Sequence, residues 1–301
     1  MNVREALREA IERLTSAQVP SASTTAEVLL MHVLRRDRTF LHAHPEWEMI
    51  PDEERAYRQL LEKRAAGTPT QYLTGKQEFW GLSLEVRPGV FIPRPETEHV
   101  VEKALEIVRE RLKRPDARIV DIGTGSGCIA LALALELPEA EIVATDVSND
   151  ALTVARRNAA ALGLSARVQF VQSDLFEAFL SHHGQASADF DTRAFDLVVS
   201  NPPYVDPSEA ESLAPEVRDH EPALALFAGA DRYEIYRRLA ATASEGLREG
   251  GSLLVEVGQG MADEVGRIYA ARGLTLRRVL DDLQGIPRAV VAQRPARPSA
   301  G

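Results

Sequence analysis

The sequence predicts an α/β fold of the doubly wound kind, a mostly parallel sheet covered by helices, preceded by a small helical domain. Three observations predict it. From Ala117 onward short apolar strands alternate with helical stretches, the pattern of a parallel sheet joined by crossover helices. A glycine-rich loop follows the first of those strands, where such sheets bind ligands. Between Met1 and Gly67, by contrast, apolar residues recur only at helical spacing, as in Ala6, Ile11 and Leu14, in Val28, Leu29 and Val33, and in Tyr57, Leu60 and Leu61. At 301 residues the chain is also long enough for two folding units, since single domains typically hold about 150 residues.

The helical domain is expected over residues 1–75. Ser23-Thr24-Thr25 before Ala26 signals one helix start, and Pro51-Asp52-Glu53-Glu54 another, its acids complementing the helix dipole. Gly67-Thr68-Pro69 breaks the pattern. Residues 76–95 read as a β-hairpin linker, because Gln77 to Val90 places bulky apolar residues at alternate positions around Gly81 and ends on Pro88-Gly89. The second domain, 96–301, opens with a helix from Glu96 to Arg114 that carries Val101, Leu105, Val108 and Leu112 on one face. Strands are expected to start near Ala117, Ala140, Arg167, Phe195 and Gly251, with a closing pair in Thr275–Asp282 and Arg288–Gln293. The run Ile129 to Leu137 alternates like a strand, but its Ala/Leu composition and its place after the glycine loop predict a buried helix.

Composition narrows the function classes. Apolar residues make up 45% and charged residues 27%, ordinary values for a globular protein. No run of about 18 apolar residues is present and the first residues are charged and amphipathic, so the expectation is a cytoplasmic protein without membrane contact. One cysteine, Cys128, and scattered histidines offer neither a disulfide nor a metal-ligand spacing, and the adjacent His182 and His183 sit in a polar stretch expected to be a loop. With 35 basic and 45 acidic residues the formal charge is −10, which argues against broad attraction to nucleic acid phosphates.

Asp121-Ile122-Gly123-Thr124-Gly125-Ser126-Gly127 ends the first strand, and glycines at alternate positions let the backbone turn sharply and approach a ligand. A dinucleotide fingerprint would place its third glycine one residue later. The observed spacing favours S-adenosylmethionine, with Asp121, Ile122, Gly123, Thr124, Gly125 and Gly127 around it. Asp146 and Asp174 close the next two strands, the first placed to accept from ribose hydroxyls and the second from an adenine amino group. The expected fold thus becomes a Rossmann-like, seven-stranded S-adenosylmethionine-dependent methyltransferase domain, releasing S-adenosylhomocysteine.

Asn201-Pro202-Pro203-Tyr204 follows the fourth strand. A conjugated –NH₂ is a poor nucleophile because its lone pair is shared with a π system, so orientation and charge stabilisation are what a protein must supply. The Asn201 side-chain oxygen and the Pro202 carbonyl can each accept one proton of such a group, and both hydrogen bonds strengthen as positive charge develops on nitrogen. Pro202 and Pro203 stiffen the loop, and Tyr204 offers a flat face to a planar amide or base. Asn201, Pro202 and Tyr204 are therefore the expected catalytic residues, with Pro203 in the substrate-binding loop and Asn201 also facing the cofactor.

The chain resembles the HemK/PrmC family, glutamine N5-methyltransferases of class-1 peptide chain release factors. The motifs that carry the resemblance span nearly its whole length: Pro69 to Gly75, Glu78-Phe79-Trp80-Gly81, Pro88 to Glu98 with its Ile92-Pro93-Arg94-Pro95-Glu96-Thr97-Glu98 string, the glycine loop and Asn201 to Tyr204. The resemblance implies that Asn201 to Tyr204 hold the glutamine of a Gly-Gly-Gln loop, and that Gly123, Gly125, Asp146 and Leu175 line the cofactor. It also places Phe91 near the cofactor and gives Arg94 and Glu96 a role either in ordering the pocket or in starting the helix. Some relatives carry tryptophan where this chain has Leu175, so only apolar contact is implied there. A glutamine methyltransferase of a ribosomal protein looks similar but generally lacks the Arg-Pro-Glu-Thr-Glu wording. Adenine-N6 methyltransferases share Asn-Pro-Pro-Tyr, yet the acidic charge and the lack of a basic domain speak against direct nucleic acid binding. The helical domain is expected to recognise the release factor away from its reactive loop, and the chain is expected to act as a monomer.

Overall fold

The computed structural model describes residues 1–179, 194–229, 231–282 and 284–296; His182 and His183 lie outside them. Two compact units are present, one formed by Met1–Lys76 with Leu213–Glu221, the other by Gln77–Ser212 with Pro222–Gly301.

The first unit is helical: α1 (Val3–Ser16), α2 (Ala22–Leu34), α3 (Arg38–Ala43), α4 (Pro51–Ala65) and α5 (Thr70–Thr74). Asn2 starts α1 with a capping box, its side chain accepting from the Glu5 amide while Glu5 accepts from the Asn2 amide, both at 3.0 Å. The buried face of α1, Val3, Ala6, Ala10 and Leu14, follows the helical period and packs with Leu29, Leu30, Tyr57 and Leu61. Tyr57 is fully buried, and its hydroxyl donates to the Ala26 carbonyl at 2.9 Å. The start of α2 lies earlier than Ser23–Thr25 suggest: Ser21 precedes it at φ +51°, and Thr25 is buried within the first turn. Sequence reading did not place residues 213–221 in this unit. They are held there by an ion pair between the buried Arg64 guanidinium and Glu216.

In the second unit β1 (Lys76–Phe79) and β2 (Leu82–Glu85) form the expected hairpin. Trp80 and Gly81 turn it with both residues left-handed, φ +53° and +69°, the type I′ geometry that matches strand twist. A tryptophan tolerates that conformation here because the Glu98 carboxylate accepts its backbone N–H at 2.7 Å and Glu136 accepts its indole N–H at 3.2 Å. Leu82 and Leu84 face the core of this unit.

The helix expected over Glu96–Arg114 is three segments. A 3₁₀ turn at Pro95–Thr97 leads into α6 (Glu98–Glu106), and π-helical winding continues over Ile107–Leu112. The wider last turn lets the adjacent Ile107 and Val108 both be buried. Then follow β3 (Arg118–Ile122), α7 (Cys128–Glu136), β4 (Glu141–Asp146), α8 (Asn149–Ala161), β5 (Val168–Gln172), β6 (Phe195–Ser200), α9 (Glu234–Gly246), β7 (Leu247–Glu256), α10 (Ala262–Ala271), β8 (Thr275–Asp281) and β9 (Pro287–Gln293). The run Ile129 to Leu137 is indeed helical up to Glu136, with Ile129 to Ala134 all buried.

The sheet order is β5-β4-β3-β6-β7-β9-β8, parallel except for β9, which runs antiparallel to both neighbours. Both faces are covered, so in β3 and β6 apolar residues point to both sides and even the polar residues Arg118, Asp121, Asp196 and Ser200 are buried. Along β3, Ile119 enters one core with α6 and α7, while the next residue, Val120, enters another with α9 and α10. Among the described residues no helix is long and apolar enough to cross a membrane.

Where α9 ends, Gly246 lets the buried Phe176 ring lie against the backbone: a Cβ there would stand 2.5 Å from the ring. Gly246→Ala is expected to destabilise the second unit by ~1–3 kcal/mol through overpacking. Urea unfolding checks it, since a merely flexible glycine would give a neutral or stabilising change on substitution.

Candidate active site

The parallel register sets Ile122 beside Thr145 on one side and beside Ser200 on the other. The residues that follow, Gly123, Asp146 and Asn201, therefore leave the sheet at the carboxyl ends of three adjacent strands, each about 4.8 Å from its neighbour. The winding reverses between β3 and β6, the position at which open α/β sheets bind ligands. Ser200 fastens the two strands where they part, its hydroxyl donating to the Ile122 carbonyl at 2.7 Å.

The glycine loop is tied down along its length. Gly123 and Thr124 both donate to the Thr145 carbonyl, at 2.9 and 2.8 Å, and Gly125 donates to Asp146 Oδ2 at 2.9 Å. Asp146 Oδ1 accepts from the Ser148 amide at 2.8 Å, so backbone donors fix the carboxylate plane while each oxygen keeps further lone pairs. Gly123 and Gly125 sit at φ +73° and +57°, and a Cβ on either would meet open space. Glycine is needed there for conformation, and the room beside it is left for something else.

Ile122, Thr124 and Gly127, expected at the ligand, also make contacts within the fold. Ile122 points into the core, and the Thr124 hydroxyl donates to Asp121 Oδ2 at 2.6 Å. Gly127 starts α7 in packing contact, since a Cβ would stand 3.1 Å from Leu131 and 3.2 Å from Ala155. These three shape the loop from beneath. Asp121 lies under it, fully buried; Oδ2 also accepts from the Ala130 amide at 3.2 Å, while Oδ1 has no partner among the described residues.

Asp174 and Leu175 follow β5. The Asp174 carboxylate is half-exposed and paired with Arg238 at 2.6 Å, a partner nothing in the local sequence announces. Leu175 adopts φ +51°, rare for a branched side chain, and packs against the core shared by α9 and α10. Phe91 has the Arg94 guanidinium 4.7 Å from its ring centroid, a cation–π contact.

Asn201 donates from Nδ2 to Thr97 Oγ1 at 3.0 Å, and Thr97 in turn donates to Glu256 Oε2 at 2.8 Å. Pro202 is buried; Pro203 and Tyr204 are half-buried. The loop is pinned beyond Tyr204, where Val205 donates to the Leu226 carbonyl at 2.9 Å and its own carbonyl accepts from Ala228 at 3.2 Å. Gly258 gives the Tyr204 ring its seat, because a Cβ there would come within 3.0 Å of the ring. The sequence reading gave no role to Thr97, Glu256, Ser200 or Gly258. The one signal was Glu256 itself, a carboxylate that closes the apolar run Leu253-Leu254-Val255.

Burial pushes the Asp121 carboxyl up from 3.8 to about 7, against the pull of its bonds to Thr124 and Ala130, and the Asp146 charge pushes the same way. An acid whose folded value is raised contributes most to stability below its unfolded value, and that contribution is lost as pH rises through the folded value. Asp121→Asn removes this loss. The variant is expected to gain stability relative to the parent between pH 3.8 and about 7, in denaturant titrations without ligand. A stability difference constant with pH would contradict this.

Comparisons with known proteins agree with this layout. The family model described as PrmC N-terminal domain matches residues 5–75, and that described as Methyltransferase small domain matches residues 82–217. A release factor glutamine methyltransferase from Koribacter versatilis is 42% identical over 295 residues, covering 98% of this chain and 99% of its own. Another from Bradyrhizobium diazoefficiens is 42% identical, covering 97% and 95%. Among solved structures, the hMettl16 catalytic domain superposes with a TM-score of 0.54 over 80% of this chain and 84% of its own, at 17% identity, a likeness of fold. By its identity to relatives that it matches from end to end, the chain belongs to the release factor glutamine methyltransferase family.

Proposed function

We propose that this protein transfers the methyl group of S-adenosylmethionine to the side-chain amide nitrogen, N5, of the glutamine in the Gly-Gly-Gln motif of class-1 peptide chain release factors. The observation that carries the reading is the placement of Asn201 beside the glycine loop. Its amide nitrogen is engaged by Thr97, so its oxygen is the end left to receive a donor.

The residues suit this cofactor. Open space over Gly123 and Gly125 admits close approach, Asp146 retains lone pairs for ribose hydroxyls, and the buried Asp121 keeps one carboxylate oxygen without a partner. When bound, S-adenosylmethionine supplies a methyl group on a positively charged sulfur. The chain's own residues do the rest by position: Asn201 Oδ1 and the Pro202 carbonyl accept the two amide protons and direct the nitrogen lone pair. Both acceptors gain strength as the nitrogen becomes cationic, and the Tyr204 ring supports the flat amide. The adenine edge falls to Leu175 as an apolar contact, with Asp174 nearby but shared with Arg238.

The helical unit we assign to recognition of the intact factor in the cytoplasm, with the chain acting as a monomer and without direct nucleic acid binding. It exposes Trp47 and Ile50, 45% and 58% accessible, large apolar side chains of the kind found at interfaces.

Three experiments test the reading. With labelled cofactor, methyl groups are expected on a purified release factor and not on its Gly-Gly-Ala variant or on duplex DNA; label on either control at the parent level refutes glutamine as the target. Asn201→Ala is expected to lower single-turnover transfer on the order of 10²–10³-fold, the usual cost of losing a charge-stabilising contact. The double substitution Trp47→Ala, Ile50→Ser is expected to raise KM for the intact factor while leaving KM for a short Gly-Gly-Gln peptide unchanged. Equal effects on both substrates would remove the recognition role.

A further inference from the structure

We infer that Thr97 and Glu256 are positioning residues that decide which end of the Asn201 amide faces the substrate, an inference resting on the reading of Asn201 just given. The two ends of an asparagine amide have nearly the same shape and opposite hydrogen-bonding character. Turned one way, Asn201 offers an acceptor to a substrate N–H. Turned the other, it offers a donor and repels the group it should hold.

The proton count around Thr97 resolves the choice. Its hydroxyl has a single proton, and the Glu256 carboxylate, a pure acceptor when ionised, takes it at 2.8 Å. Thr97 Oγ1 is then left only lone pairs for its other neighbour. The end of Asn201 that lies 3.0 Å away must be Nδ2, and Oδ1 must face outward. With Glu256 ionised, the orientation follows from the order of donors and acceptors along the chain of three, whichever way the amide atoms are named.

The burial of the two partners supports a purpose beyond packing. Thr97 and Glu256 are 2% and 4% exposed, and an acid in that position costs desolvation that an apolar residue would avoid. Glu256 ends β7 among groups that act on its charge: Arg288 and Arg94 favour the ionised form, Glu96 opposes it, and Tyr204 and Tyr236 lie close enough to feel it. Thr97 is held from its own side by the 3₁₀ turn, its amide donating to the Arg94 carbonyl at 3.1 Å. Three elements remote in sequence thus converge on one amide.

Two substitutions at Thr97 separate the polar role from a packing role. Thr97→Val keeps the shape and removes the hydroxyl; Thr97→Ser keeps the hydroxyl and removes the methyl. The valine variant is expected to lower kcat roughly ten- to hundredfold, the range for loss of a buried hydrogen bond, with cofactor Kd and Tm near the parent values. The serine variant is expected to stay within about threefold of the parent. A serine variant impaired beside an active valine variant would overturn the inference. In an Asn201→Ala background Thr97→Val should have no further effect on kcat; a full independent loss there also overturns it. Should the valine variant fold poorly, Glu256→Gln asks the same question, because a carboxamide no longer dictates the direction of the Thr97 proton. Its kcat is expected to fall with cofactor Kd unchanged, and a parent-like kcat overturns the inference. A silent Asn201→Ala would defeat the reading of Asn201 and this inference together, whereas a damaging Asn201→Ala beside a harmless Thr97→Val defeats the relay alone.

Discussion

The hydrogen bond from the Ser200 hydroxyl to the Ile122 carbonyl joins the two strands between which the sheet changes its direction of winding. Crossover helices leave β3 and β6 toward opposite edges, so a crevice opens between the loops that follow them. The gap between them is a consequence of topology. What Ser200 adds is register: with Ile122 and Ser200 held side by side, Gly123 and Asn201 begin their loops one strand spacing apart. A methyl donor over the first loop and an amide on the second would meet within that distance, and a slip of one residue along β6 would turn Asn201 to the other face.

The acids of the site share a second constraint. Asp121 and Glu256 are buried, and each is pushed up to about 7 by desolvation that its hydrogen bonds only partly offset. Asp146, half-buried, is raised for the same reason, despite the amides of Gly125 and Ser148. Among the described residues neither Asp121 nor Asp146 has a cation paired with it, in contrast to the surface pairing of Asp174 with Arg238. Carboxylates held by backbone donors and left without a counter-charge are suited to a ligand that brings positive charge with it.

Much of this was legible in the sequence because local chemistry determines it. Strands buried on both faces carry apolar residues at successive positions, as in Ile119-Val120, Ile142-Val143-Ala144 and Leu197-Val198-Val199, which is why β3, β4 and β6 stand out, and a tight loop beside a ligand has to carry glycine where φ is positive. The helix α7 shows how position settled an ambiguous pattern: alternating Ala and Leu mimics a strand, but a helix following the glycine loop buries Ile129 to Ala134 in succession. The unread features depend on distant partners. Thr97 meets Glu256 across 159 positions and Arg64 meets Glu216 across 152, and in neither case does the local sequence name the partner. Asp174 illustrates the same limit, since nothing near it in sequence announces its pairing with Arg238, 64 residues on.

The polar chain through Thr97 also bears on why this chemistry needs no strong base. An amide nitrogen gains acidity only as its bond to the methyl group forms, so a base acting earlier would have little to remove. What raises the rate is holding the lone pair on line while the charge develops. That places the burden on the stiffness of two acceptors, one of them the Pro202 carbonyl, already fixed by the ring beside it. The other is a side-chain amide on a rotatable bond. Its order has to come from neighbours, and the neighbours present are a buried hydroxyl and a buried carboxylate that, when ionised, together leave the Asn201 oxygen outward. The cost of burying Glu256 is then intelligible as the means by which a flexible side chain acquires the fixed polarity of a backbone carbonyl.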